Sequence, residues 1–142
     1  MWVLAVALLA LTTDQPFDQY SGQWTAEYHG TTYVRLVLSE LVGAPQGVMS
    51  IGESIHVNAG GDVDGVTEAP STLTRMLDVR WNGRVLSFSV KDGDDIHRFE
   101  LRLIDANTGE LTPIIPEEQR QELANDGIPL PKPFRVTKAR AR

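Results

Sequence analysis

Three histidines, His29, His56 and His97, are the side chains of this chain best placed by their chemistry to move a proton or bind a metal near neutral pH. His97 is the one with a suggestive setting. It lies in an alternating run, DDIHRFELRL, where its parity puts it on the same face as Phe99. There it could contact a ligand, act as a general base or ligate a metal; equally, it could be a rim histidine with one hydrogen bond. Glu53, Arg75 and Asp95 share the inner parity of their own runs. A charge turned toward an apolar interior must be paired, so these residues read either as a salt-bridged rim or as a polar mouth that orients a ligand above an apolar cup.

Other chemistries find little support. The histidines lack H-x-H spacing, and His29 and His56 have outward parity, so no metal site is expected. GGDVDG (60–65) and DGDD (92–95) resemble pieces of calcium loops without the alternating oxygen ligands and closing glutamate, and turn chemistry explains both. GVMSIG is not a nucleophile elbow, and no phosphate loop or Ser/His/Asp arrangement is legible. No catalytic residue and no cofactor is assigned.

The elements that must position these residues are strands. Trp24, Ala26 and Tyr28 alternate with polar residues, as do Val34, Leu36 and Leu38, and one parity from 49 to 57 holds Met49, Ile51, Glu53, Ile55 and Val57. In VRWNGRVLSF, a two-residue turn at Asn82-Gly83 makes Val79 face Leu86, Leu77 face Phe88 and Arg75 face Val90. A second turn at Asp92-Gly93 sets Phe88 opposite His97, Leu86 opposite Phe99 and Val90 opposite Asp95. Both registers put apolar residues on one face of three strands. Asn107-Thr108-Gly109 marks a further turn. IPEEQRQELANDG, with proline and acids at its start and Asn-Asp-Gly at its end, reads as a short helix near 116–125. FRVTKAR is the last strand, while Val63–Thr67 reads as a short strand or part of a long loop.

These elements amount to an all-β, antiparallel meander of seven or eight strands closed into a small barrel, with a β-sandwich as the alternative. If 63–67 were a stave of that barrel, the Asp92-Gly93 turn would lie at the end that holds Trp24. Otherwise it lies at the opposite, open end.

At 142 residues the chain holds one domain, placed here at 20–139. An apolar fraction of 42% with 23% charged residues is that of a folded globular protein. The net charge of −6 argues against nucleic acid as a partner. Five of the 13 basic residues (Lys132, Arg135, Lys138, Arg140, Arg142) lie at the end, leaving 8 basic against 19 acidic groups in residues 1–131. That asymmetry reads as a closing strand set against acidic neighbours, or as a membrane or anion tail. The absence of cysteine excludes disulfides, thiolate metal sites and a cysteine nucleophile.

The apolar run Trp2–Leu11 would span only about 15 Å as a helix, too short to cross a bilayer. It fits a secretory signal peptide over 1–13, although no basic residue precedes it, and implies a periplasmic or secreted protein without stable membrane insertion.

Gly22-x-Trp24 at the head of a first strand, followed by a meander of hairpins, resembles the lipocalin and avidin (calycin) superfamily. The strand pattern also resembles small exported barrel domains of environmental bacteria. The lipocalin resemblance implies that Trp24 packs across a closed end beneath a late basic residue, for which Arg135 and Lys138 are available by position. The chain departs from that pattern in lacking a central Thr-Asp-Tyr and a cysteine pair, and in placing its helix before the last strand.

The expectation is a non-enzymatic barrel that binds a small, partly apolar molecule, with Phe88, Leu86, Phe99, Leu77 and Tyr28 lining the cup and His97, Arg75 and Glu53 supplying polar contacts. Two alternatives stand beside it. One is an envelope or interaction domain with a solid core. The other is a barrel isomerase or hydrolase that uses His97 with Glu53 or Asp95. No oligomeric state is implied.

Overall fold

The computed structural model describes residues 17–140, so the expected signal peptide lies outside the described residues. A short 3-10 turn, Phe17–Gln19, precedes β1 (Gly22–Tyr28), β2 (Thr31–Leu41) and β3 (Ala44–Ile51). An excursion follows, containing β4 (Ile55–Val57) and β5 (Val63–Val66), before β6 (Thr74–Arg75), β7 (Leu77–Trp81), β8 (Val85–Asp92), β9 (Asp95–Asp105) and β10 (Thr108–Ile114). Helix α1 (Glu117–Asn125) and β11 (Phe134–Lys138) complete the chain. Among the described residues no helix is long and apolar enough to cross a membrane.

Nine strands form one antiparallel sheet in the order β6-β3-β2-β1-β11-β10-β9-β8-β7. Its two ends, β6 and β7, are separated only by Met76, so they act as one bent stave and the sheet curls nearly into a closed eight-stave barrel. β6 pairs with β3, β7 pairs with β8, and the Met76 amide donates to the Gly47 carbonyl at 2.9 Å. Gly47 makes room at this seam. A Cβ there would stand 2.7 Å from the Met76 sulfur and 2.8 Å from Leu38.

Inward positions follow the period of two. Trp24 and Ala26 of β1 face Leu36 and Val34 of β2, and Leu36 and Val34 face Met49 and Ile51 of β3. Leu86, Leu101, Leu111 and Val136 complete the middle of the barrel, all fully buried. Each such aliphatic side chain contributes about 1.5–3 kcal/mol on burial, and together they must hold a fold without disulfides.

Both central hairpins differ from the expected register by one residue on each strand. Gly83 and Gly93 adopt positive φ as the first central turn residues, not the second, so the turns centre on Gly83-Arg84 and Gly93-Asp94. The Asn82 side chain accepts from the amides of Arg84 and Val85, taking over the role of its own backbone. Leu86 therefore faces Trp81 and Leu101, Phe88 faces Phe99, and His97 faces Val90.

A bulge at Asp78 (φ 50°) then reverses parity along the bent stave. Met76, Val79 and Trp81 turn toward the core, while Leu77, 39% exposed, turns outward opposite Ser89. Arg75 pairs with outward-facing Val48, not with Val90, and Asp95 pairs with Asp92 in the hairpin turn. Leu77 and Arg75 thus lie on the outer surface, contrary to expectation.

The barrel's two ends differ. At one, Phe17, Tyr20, Trp24 and Trp81 form an aromatic plug: Tyr20 packs on Trp81 at 4.6 Å and on Phe17 at 6.0 Å between ring centres. The Tyr20 hydroxyl donates to the Arg84 carbonyl at 2.8 Å and accepts from the Leu103 amide at 3.2 Å. Trp24 donates its indole N–H to the Tyr20 carbonyl at 2.8 Å, and the Lys138 ammonium lies 5.6 Å from the centre of the Trp24 ring.

The opposite end carries the Asp92–Asp95 turn. Val63–Val66 is a strand, but it pairs with β4 in a separate two-stranded sheet and is not a barrel stave.

Candidate ligand site at the barrel mouth

The end away from Trp24 opens into a cavity of about 510 Å³. Its apolar wall comes from Met49 and Ile51 at the end of β3, Val90 on β8, Phe99 on β9 and Phe134 on β11. Each sits on the inner face where its strand leaves the packed core. Phe88 does not line the cavity but pairs with Phe99 across the strands and stacks on it from behind, with ring centres 5.6 Å apart. Below it Leu86 and Leu101 are fully buried, so the site is a bowl above a filled barrel, not a deep calyx.

Polar groups occupy the rim. Glu53, Thr72, Thr74, Lys91, Asp92 and His97 border the cavity. Ser50 donates its hydroxyl to the Pro70 carbonyl at 2.7 Å, which fixes the return of the excursion against β3. His97 Nε2 stands 3.9 Å from Asp92 Oδ2, across the tip of the β8–β9 hairpin, with its side chain about half exposed. The rim can therefore offer hydroxyl, carboxylate, ammonium and imidazole groups to the polar part of a molecule whose apolar part enters the bowl.

Of the eight residues named from sequence, His97, Glu53 and Phe99 meet at this cavity. Phe88 and Leu86 lie beneath it in successive layers. Tyr28 lies at the end of β1, packed against the core and the His29 ring, and does not border the bowl. Arg75 and Leu77 are outside the barrel, while Asp95 is exposed in the hairpin.

Sequence reasoning missed Val90, Thr74 and Phe134. Val90 shares the parity of Leu86 and Phe88, a signal that was available. Thr74 became an inner residue only through the Asp78 bulge, which no local pattern announces. Phe134 closes the wall from a strand separated from β10 by a helix and a proline-rich connection. Among the described residues no group of three metal-binding side chains gathers.

Comparison of the chain with models of known families, with curated proteins and with solved structures finds no match in any of the three.

Proposed function

We propose that this protein is an exported, non-enzymatic barrel of the lipocalin and avidin kind that holds a small, partly apolar molecule in its mouth. The observation that carries this reading is the division of chemistry in one cavity: an apolar wall of Met49, Ile51, Val90, Phe99 and Phe134 beneath a rim of hydroxyl and charged groups. The family reading is supported by Gly22-x-Trp24 with Lys138 over the indole, which is the late basic residue the resemblance calls for. Export is supported by the apolar run Trp2–Leu11.

The filled barrel below Phe88 favours a second reading, an interaction domain whose core holds no ligand. One measurement separates the two. A fluorescent anilinonaphthalene dye is titrated into protein carrying ¹³C-labelled methyl groups. Saturable dye emission with shifts centred on Met49, Ile51 and Val90 supports mouth binding. No saturation at millimolar dye, or shifts confined to residues away from the mouth, overturns it.

A further inference from the structure

A second concavity, of about 490 Å³, lies outside the barrel between β4 and the chain that follows α1. One wall is the whole of β4, Ile55 to Val57; the other includes Leu123, Ile128, Pro129 and Pro131, and Phe134 borders this groove as well as the mouth cavity. The loop is latched to the hairpin tip, where the Lys132 amide donates to the Gly61 carbonyl at 2.9 Å and the Lys132 ammonium pairs with Asp62 at 3.1 Å. This latch bounds the groove at one end.

β4 is an unfinished strand. Its pairing with β5 is flanked by bonds from the Thr67 amide to the Ser54 carbonyl and from the Asn58 amide to the Asp62 carbonyl. In an antiparallel ladder the bonded positions alternate, so Ser54, His56 and Asn58 point their backbone groups at β5. Ile55 and Val57 point theirs the other way. None of the loop or inter-element backbone bonds among the described residues reaches them. The facing prolines have no N–H to offer.

We propose that this groove takes an extended segment of a partner polypeptide, apolar at alternate residues and basic between them, which adds a strand beside β4. The free ladder positions call for an extended backbone. The apolar side chains call for apolar residues at a period of two.

No acid lines the groove itself, but acids stand beside its lining residues and call for basic ones: Glu122 precedes Leu123 and Asp126 precedes Gly127, while the one cation of residues 117–126, Arg120, is already 3.7 Å from Glu117. α1 also has no buried residue and no side-chain cap, so at nine residues it lacks the packing that normally sustains a short helix. A strand laid against Leu123 would supply part of that packing.

The test is a library of five-residue peptides with valine, isoleucine or leucine at alternate positions and lysine or arginine between. Selected binders are remade with N-methyl groups on the backbone amides facing β4. Expected are amide shifts and at least tenfold slower hydrogen exchange at Ile55 and Val57, and at least tenfold weaker binding after N-methylation. Val57→Pro should weaken binding by a similar factor with an unchanged circular dichroism spectrum. No binder in the library, equal binding of the N-methylated peptides, or shifts confined to Leu123 and Ile128 would overturn the proposal.

Discussion

Lys138, the last residue of β11, holds its ammonium 5.6 Å above the centre of the Trp24 ring and donates to the Gln19 carbonyl at 3.2 Å. One side chain thus joins the last strand, the first strand and the turn that precedes it. Gly22 completes the arrangement: its φ of 130° is open to glycine, and a Cβ there would stand 2.8 Å from Lys138 Cε.

Lys138→Met keeps the aliphatic stem and removes the charge, so it should cost about 1 kcal/mol in urea unfolding. Gly22→Ala should cost more, about 1–3 kcal/mol, because the backbone strain adds to the crowding. Equal stability of both variants and the parent would contradict the plug.

Burial raises the pKa of the Tyr20 hydroxyl above 10.0, opposed by the Leu103 amide and the Arg102 charge, and burial raises that of Tyr33 as well. The folded state therefore holds these protons more tightly than the unfolded chain. Their contribution is complete below about pH 10 and is lost as pH rises through the raised values. Stability should fall on the alkaline side of pH 10, and the slope should shrink in Tyr20→Phe. That variant should also cost about 1–3 kcal/mol at neutral pH, since it leaves the Arg84 carbonyl and Leu103 amide without their partner.

At the mouth, Phe99→Leu should weaken binding of the anilinonaphthalene dye about tenfold, a loss of about 1.4 kcal/mol. Leu77→Ala and Arg75→Ala, on the outer face, should leave dye affinity unchanged. Trp24 and Trp81 belong to the opposite end, so their indole N–H resonances should stay unshifted while the dye saturates. Indole shifts that follow the saturation curve would place the site elsewhere.

Val42 is 97% exposed and has a φ of 51°, followed by Gly43 at 76°. A β-branched side chain is disfavoured in that left-handed region, whereas asparagine suits it. Val42→Asn should raise stability by about 1 kcal/mol with no effect at the mouth, measured by thermal unfolding and dye titration.

Alternation made the strands legible in sequence, because side chains at i and i+2 must share a face wherever one face is buried. The helix was legible from its proline, its acids and its terminal Asn-Asp-Gly. Register was less so. Asn-Gly and Asp-Gly announce a turn but leave open whether glycine comes first or second, and one residue of slip moved His97 from Phe88 to Val90. The bulge at Asp78 has no local signal, and simple alternation without it puts Leu77 and Arg75 inside. The strand at Val63–Val66 has a local signal, but its place outside the barrel has none: the chain just after it is held by the Ala69 amide on the Thr32 carbonyl and by Thr67 packed against Gly52.

The pairing of β1 with β11 brings residues 22–28 and 134–138 side by side, with Phe17 and Arg140 both departing from the plugged base. A module joined at either of those two residues would start from that base, like the stem of a goblet, on the side away from the bowl.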